Sequence, residues 1–317
     1  MKKILFATGL RVAFLCVFVL LGTGCGALRR AQTRSIARAF SGPPESNVFV
    51  QDNDPELIRD SLPFALKTYE ALLASDPENR DLYLATAEGF VTYANAFIHA
   101  DAEKEDEVDF RHARYLLERA TRLYLRGRNY ALNGLTIDYP DFEEKLRQDP
   151  QQILPALSSD SVPLLYWAAG GWAGAISTDV SNMGLVAELP IVEAMMRRAL
   201  ELDEDFSDGA IHEFFVTYEG SRSAAMGGSA QRAREHFERV LTLTRGKKAS
   251  PYVAMASSVA VREQDHKMFQ ELLHKALAID PDSVLKWRLA NILAQEKAMW
   301  LLDHIPDLFL EYEEAEQ

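Results

Sequence analysis

The residues best suited to metal chemistry are His212 and Glu213, which begin a zinc-site motif that the next helical turn does not complete. In H-E-x-x-H the two histidines stand four residues apart on one helical face, but Val216 occupies the second position. The other histidines show no ligand spacing: His99, His112, His236, His266, His274 and His304. We therefore expect no metal site, no cofactor and no catalytic group, and a protein that is not an enzyme.

A second chemically distinctive residue is Cys25, which follows an apolar segment. Residues 1–24 begin with two lysines, continue through an apolar core and end in Gly22-Thr23-Gly24, the layout of a secretory signal peptide. Bacterial lipoprotein signals place small residues before a cysteine whose thiol is acylated, although Gly22 stands where an aliphatic residue is usual. We expect removal of residues 1–24 and lipid attachment at Cys25.

Two alternatives to lipid attachment stay open. The segment could be an uncleaved N-terminal anchor, but its core of about ten residues is short against the roughly 20 that span a bilayer. It could also be an ordinary signal peptide in which Cys25 has no role. In that case Cys25 would have no disulfide partner in the exported chain, because Cys16 lies within the removed segment.

The charge of the chain argues against nucleic-acid binding. The formal net charge is −13, whereas nucleic-acid-binding domains present a basic surface. Positive charge is concentrated after Cys25, at Arg29, Arg30, Arg34 and Arg38, where it either contacts anionic headgroups or is simply solvated. Residues 25–51 contain "SGPPESN" and are interpreted as the lipidated N-terminus and a linker.

Residues 52–303 have the pattern of an all-α domain. Helical periodicity dominates, strand-like alternation is missing, and capping residues precede several apolar segments: Asp54, Asn79, Ser161, Ser229 and Ser250. Residues 304–317 are predicted to form an acidic C-terminal tail. The fold class is therefore predicted to be all-α, preceded by a lipoprotein signal peptide.

The helices follow a degenerate tetratricopeptide-like pattern. The small-large-small spacing of a second repeat helix begins at Ala65, Ala113, Val192, Ala233 and Phe269. First helices are expected near 79–99, 161–180, 208–220 and 250–262, with a capping helix at 282–302. Spacings wider than the ideal 34 residues require insertions, chiefly 129–160. Stacked helical hairpins form a superhelix with a concave surface.

The stretch "LLYWAAGGWAGAIS" (164–177) contains no charged residue. It is too short to span a membrane, and "AGGWAG" lacks the order of a phosphate-binding loop, which favours a buried helix. Gly170 and Gly174 lie four residues apart on one face, so we expect them to allow close packing of another helix.

The two tryptophans of this stretch are separated by roughly 140° around the helix axis, so they cannot face the same neighbour. Either one is core and the other covers an adjacent helical pair, or part of this helix lines a cavity for an apolar ligand. Our candidate cavity residues are Tyr166, Trp167, Trp172, Tyr218, Trp287 and Asn291, with Asn291 or Tyr218 as the polar group.

Several segments carry a resemblance to a known family. "LLYWAAGGWAGAIS" (164–177), "DGAIHEFFVTYE" (208–219) and "KKASPYV" (247–253) are the most specific, within a similarity that covers about residues 52–303. They resemble the tetratricopeptide lipoproteins associated with TRAP transporters, the T component or TatT family.

The resemblance implies a periplasmic, lipid-anchored protein that partners the substrate-binding P component of a TRAP transporter. It also implies an apolar cleft or pore for a small apolar or amphipathic ligand. The alternative is a tetratricopeptide scaffold for outer-membrane protein or envelope assembly, which needs an exposed groove but no internal cavity. The ligand, homo-oligomerisation and the membrane that holds the anchor stay open.

Overall fold

The computed structural model describes residue 45, residues 47–105 and residues 108–310, and most of these residues are helical. The predicted signal peptide, Cys25 and most of the predicted linker lie outside the described residues. The all-α prediction is confirmed for the described part of the chain, in which no strand occurs. None of its helices is both long enough and apolar enough to cross a bilayer.

The first helices are α1 (Pro55–Leu73), α2 (Arg80–Tyr93), α3 (Ala100–Glu105), α4 (Phe110–Asp138), α5 (Phe142–Gln148), α6 (Pro150–Ile153), α7 (Val162–Thr178) and α8 (Met183–Val186). They are followed by α9 (Leu189–Leu202), α10 (Phe206–Ser221), α11 (Ala230–Thr244), α12 (Ser250–Met255), α13 (Val261–Glu263), α14 (His266–Leu277), α15 (Arg288–Asp303) and α16 (Ile305–Leu308). Two π-helical segments, Ala94–His99 and Ala256–Ala260, join α2 to α3 and α12 to α13.

Several helix starts are fixed by the capping residues that the sequence indicates. The side chains of Asp54, Asn79 and Ser229 each accept a hydrogen bond from the backbone N–H three residues ahead. Ser161 stands at the start of α7 but does not cap it, because its hydroxyl bonds to that of Tyr139 at 3.2 Å. The Ser250 side chain makes no capping bond either, so these two expectations were wrong.

The helices form pairs whose inner members contact one another in succession. α1 packs on α2, α4 on α7, α7 on α9, α10 on α11, and α14 on α15. On the inner side α2 contacts α7, α7 contacts α10, α10 contacts α12, and α12 contacts α15. These five helices are the ones predicted as first helices and the capping helix, and together they surround a central space.

The long helix α15 packs against the first helices of the domain. α15 contacts α1, and the backbone N–H of Leu289 donates to the carbonyl of Val50 at 3.1 Å. The Lys297 ammonium lies 2.6 Å from the carboxylate of Glu103 on α3. Together with α1 and α3, the inner helices therefore form a closed ring rather than an open curve.

Two predicted boundaries were wrong. Residues 129–138 are not an insertion, because α4 runs unbroken to Asp138 and only the following short helices, up to residue 161, are additional. The helical domain also continues past residue 303, since Ile305 and Phe309 are buried in the hydrophobic core shared by α11, α12, α14 and α15. Apolar residues at 305, 308 and 309 anchor a segment whose acidic residues suggested a tail.

Candidate ligand cavity

A cavity of about 650 Å³ lies between α2, α7 and α10, within the range of small-molecule sites. A second cavity, of about 530 Å³, lies where α15 meets α1 and α3. The two share five wall residues, Thr92, Asn95, His99, Thr217 and Ala254, and are therefore neighbours. Together they follow the centre of the helical ring.

Helical periodicity explains how each inner helix contributes a wall. On α7 the wall residues Tyr166, Gly170, Ala173 and Ser177 recur at spacings of four, three and four, which place them on one face. On α10 the same rule applies from Ala210 through Ser221. The wall is mainly apolar, and its polar groups are spread among several helices.

Both π-helical segments lie on this wall. Asn95 and His99 belong to the first segment and Ser257 to the second, and all three line one or both cavities. π-Helical turns in α-helices occur frequently at functional sites, because they change the direction in which side chains point. Their position here supports a role for the cavity beyond packing.

Three of the six candidate cavity residues lie on the wall: Tyr166, Trp167 and Tyr218. The ring of Tyr166 packs against Trp167 in a T-shaped arrangement with centroids 5.1 Å apart, and against Phe206 at 5.3 Å. The Tyr218 hydroxyl is already engaged, because it donates to Glu193 at 2.7 Å. Tyr218 therefore contributes an aromatic surface more than a free polar group.

Trp172 is a core residue instead. Its ring is fully buried, its indole N–H donates to Glu188 at 2.8 Å, and the guanidinium groups of Arg128 and Arg147 each lie 4.7 Å from the ring centroid. The indole N–H and the ring face are both satisfied by residues that pack around α7. The expectation that Trp172 lines a cavity was wrong.

Trp287 and Asn291 also stabilise the fold away from the two cavities. The Trp287 indole N–H lies 3.2 Å from the carboxylate of Asp208, whose φ of +56° places it in a left-handed turn near the start of α10. The buried Asn291 amide accepts from Ala249 N–H at 2.8 Å and donates to the Lys247 carbonyl at 3.1 Å. These residues join α15 to other parts of the ring, so they correct the sequence-based expectation.

Gly170 and Gly174 of α7 both line the cavity, but the space around them differs. A Cβ at Gly174 would lie 2.4 Å from the ring of Tyr124, and one at Gly171 would lie 2.9 Å from the Tyr124 carbonyl. A Cβ at Gly170 would have no atom within 4 Å, because Gly170 faces the cavity. Close packing therefore involves Gly171 and Gly174, and the expectation for Gly170 was wrong.

The two residues of the incomplete zinc motif, His212 and Glu213, lie in different environments. His212 is buried, and its Nδ1 lies 2.8 Å from Nδ1 of His236, where burial lowers the pKa of both imidazoles, that of His236 to about 4. Glu213 instead lies on the cavity wall and pairs with Lys248 at 2.7 Å. Within the described ranges, no cluster of histidine, cysteine and carboxylate side chains could hold a metal ion.

Comparison with known proteins identifies the family. A sequence model of the TRAP transporter T-component family matches residues 51–309. The chain belongs to the TRAP transporter T-component family. A protein of Treponema pallidum (strain Nichols), described as an uncharacterized protein, is 30% identical over 308 residues, covering 92% of this chain and 95% of that protein.

Membership confirms the resemblance that the sequence showed and defines a general role. T components are accessory parts of TRAP transporters and are not an enzyme family, so the chain is associated with such a transporter. The family also indicates a location in the cell envelope. The ring of helices and its cavities are thus features of a transport accessory protein.

The α2 face of this T component contains wall residues that the sequence analysis missed. Thr92, Asn95 and His99 line the cavity, and Glu88 precedes Thr92 by one helical turn. The Tyr124 hydroxyl donates to Asn95 at 3.0 Å and lies 3.2 Å from His99 Nδ1. Polar residues recurring every three or four positions in an apolar helix were the signal that could have identified this face.

Burial sets the protonation of these groups. It lowers the pKa of His99, which favours a neutral imidazole, and it raises the pKa of the Tyr166 phenol, which keeps the hydroxyl protonated. The acidic groups Glu213 and Glu88 contribute further to the shift at Tyr166. The wall near Tyr166 is therefore apolar with a negative potential.

Proposed function

We propose that this T component is a lipid-anchored, periplasmic protein that shelters or passes a small, partly apolar ligand through its central cavity and docks the substrate-binding P component of a TRAP transporter. The observation that carries the proposal is the pair of adjacent cavities between the inner helices. A scaffold that only recognises other proteins requires an exposed groove and does not need two adjacent cavities of this size between its inner helices.

The composition of the wall supports an apolar or amphipathic ligand. Tyr166, Trp167, Phe214 and Tyr218 contribute aromatic surface along one side. Ligand sites of this type are lined by apolar and aromatic groups, with a few polar groups that fix orientation. Asn95 and His99 on the first π-helical segment and Glu213 on α10 are such groups here.

Docking of the P component follows from the architecture and the family. The helical pairs are interpreted as tetratricopeptide-like units, and such stacks commonly bind proteins on their surfaces. Because the family belongs to TRAP transporters, the P component is the partner we propose. The contact is expected to be transient, with an affinity of about micromolar.

Anchoring is proposed from the sequence, because Cys25 lies outside the described residues. Acylation of Cys25 would hold the domain at a membrane while residues 26–51 act as a tether. The test is metabolic labelling with a palmitate analogue followed by membrane fractionation. Wild type should be labelled and sediment with membranes, whereas Cys25→Ser should be unlabelled and soluble; labelling of the variant would contradict the assignment.

The cavity is tested by filling it. Gly170→Leu places an apolar side chain where no neighbouring atom lies within 4 Å, so it should fold normally and exclude a neutral decanol probe. Ala71→Leu adds the same bulk to an exposed position on α1 and is the matched control. Calorimetry in the Cys25→Ser background should show decanol binding by the control and loss of binding by Gly170→Leu.

Docking is tested by calorimetry between this protein and the P component encoded beside its transporter genes, with and without the P component's ligand. Association near micromolar would support the proposal. If no association occurs at high micromolar concentration while an outer-membrane assembly factor binds, the scaffold alternative replaces it. Equal decanol binding by the Gly170→Leu variant and its control would remove the cavity as the ligand site.

A further inference from the structure

Glu88 is an acidic residue on an otherwise apolar part of α2. Among the residues that the structure describes, none forms an ion pair or a hydrogen bond with its carboxylate. Protein surrounds the side chain, yet part of its surface stays accessible. The side chain is therefore enclosed without being fully shut off from solvent.

The helical register places Glu88 at the end of the cavity. It precedes Thr92 by four residues and Asn95 by seven, and both of these line the cavity. The wall residue Tyr166 on α7 interacts electrostatically with Glu88 and with Glu213 on α10. Tyr166 on α7 and Glu213 on α10 line the cavity, and Glu88 lies one helical turn beyond the wall residue Thr92.

The groups around Glu88 do not supply a compensating charge. Tyr69 on α1 and Tyr166 on α7 are neutral, because burial raises the pKa of both phenols. Glu213 is paired with Lys248 at 2.7 Å, and His99, farther along the face, is buried with a lowered pKa. Burial alone raises the pKa of Glu88, to about 7, and no nearby cation opposes the shift.

Aromatic rings lie beside these carboxylates. Tyr166 packs on Trp167 and on Phe206, with ring centroids 5.1 and 5.3 Å away. Tyrosine and tryptophan faces attract cations, and tryptophan does so most strongly. By contrast, the guanidinium at the Tyr218 end, that of Arg222, lies 3.6 Å from the Tyr218 ring centroid and donates to the Tyr218 and Met226 carbonyls.

We propose that Glu88, together with the rings of Tyr166 and Trp167, forms a subsite for a positively charged nitrogen, an amine or an ammonium group, at one end of an amphipathic ligand. The cation would neutralise the unpaired carboxylate, and the apolar part of the ligand would extend along the cavity toward Tyr218. The proposal rests on the cavity being the ligand site and adds the chemical class of the ligand's polar end.

The subsite is tested with three probes of equal chain length: decylamine, decanol and decanoate. Calorimetry is done in the Cys25→Ser background at about pH 8, where the Glu88 carboxylate is ionised. We expect decylamine to bind about tenfold more tightly than decanol and decanoate to bind least tightly. Glu88→Gln should remove the preference for decylamine and leave decanol binding unchanged, whereas Asp81→Asn, an exposed change on the same helix, should alter neither.

A pH series provides a second readout. Below about pH 6 the carboxylate takes up a proton while decylamine stays charged, so wild type should lose its preference and Glu88→Gln should change little. Equal binding of decylamine and decanol at high pH, or tighter binding of decanoate, would overturn the subsite while leaving the cavity as a ligand site. Failure of all three probes to bind would overturn both proposals.

Discussion

Tryptophan lies on both sides of α7 and has a different role on each side. On one side the Trp172 ring is fully buried against neighbouring helices. On the other side Trp167, Gly170 and Gly174 line the central cavity, and Gly174 also lies against the Tyr124 ring. Tryptophan and glycine therefore indicate neither core nor binding site by themselves; the neighbours that surround each residue decide.

The largest effect is expected from the two tryptophans. Trp172→Ala removes a fully buried ring, its bond to Glu188 and its contacts with two guanidinium groups, so it should lower the free energy of unfolding by about 3–5 kcal/mol. Trp167→Ala removes a half-buried ring on the cavity wall and should cost much less, while weakening decanol binding. Urea denaturation and calorimetry measure the two effects.

The opposite result would contradict the assignment of Trp167 to the cavity wall and Trp172 to the core. If Trp167→Ala were the more destabilising variant, and decanol binding depended on Trp172, the cavity side would have been assigned to the wrong face. A Trp172→Phe variant separates ring volume from the indole N–H, because it retains most of the apolar contact. It should lie between wild type and Trp172→Ala in stability.

Much of the fold follows from local sequence signals, because helical periodicity and capping act over a few residues. Asp54, Asn79 and Ser229 cap helices as their positions indicate. Ser161 could not be assigned correctly from local sequence, since its hydroxyl bonds to Tyr139, which lies 22 residues earlier. The closing contact of α15 with α1 joins segments much farther apart in sequence and was not predicted.

The candidate site was only partly predictable for the same reason. The 140° separation of the tryptophans shows that they face different neighbours, but not which neighbour is a cavity. That choice depends on Arg128, Arg147 and Glu188, which surround Trp172 from other segments. Glu88 was not among the predicted site residues, although its spacing from Thr92 and Asn95 is visible in the sequence. The prediction was based on the aromatic residues of α7.

Glu219 and Glu88 differ in the charged groups that surround them. Glu219 is fully buried on α10, and its carboxylate lies 2.6 Å from Arg232, 3.4 Å from Arg197 and 3.8 Å from Arg222. Glu88 is surrounded by protein without such partners. Glu219→Gln should therefore destabilise by about 2–3 kcal/mol at neutral pH, less than for a fully desolvated pair because Arg197 and Arg232 stay half-exposed.

Glu88→Gln should have the opposite sign. Burial raises the carboxyl pKa from 4.5 in the unfolded chain to about 7, so the folded state holds a proton that the unfolded state has released. Wild-type stability contributed by this group is consequently lost as pH rises from about 4.5 to 7, by at most about 3 kcal/mol. At about pH 8 the variant should be the more stable protein.

The measurement is the difference in unfolding free energy between Glu88→Gln and wild type across that pH range. Taking the difference cancels the titration of His212 and His236, whose lowered pKa values make stability fall on acidification below about pH 6.5. A difference that stayed constant with pH would mean that the carboxylate is well solvated, and the argument from its burial would be lost.

The smallest expected effects come from the glycines of α7, which test the comparison with one added methyl group. Gly170→Ala should stabilise the protein by about 1 kcal/mol, because alanine is the better helix former and the added Cβ meets no atom within 4 Å. Gly174→Ala gains the same helix propensity, but its Cβ would lie 2.4 Å from the Tyr124 ring. That ring cannot withdraw easily, since its hydroxyl bonds to Asn95.

Overpacking of this kind costs about 1–3 kcal/mol, so the net effect of Gly174→Ala should be a loss of about 1–2 kcal/mol. Urea unfolding midpoints measure the stability of both variants, provided that the unfolding free energy depends equally on urea concentration in each. The sign of the change in stability decides the test. Decanol affinity gives an independent check, because the methyl group at residue 170 occupies cavity space whereas displacement of Tyr124 disturbs the Asn95 contact. Stabilisation of equal size at both positions would show that Gly174 is as loosely packed as Gly170, which would contradict the close approach of the Tyr124 ring.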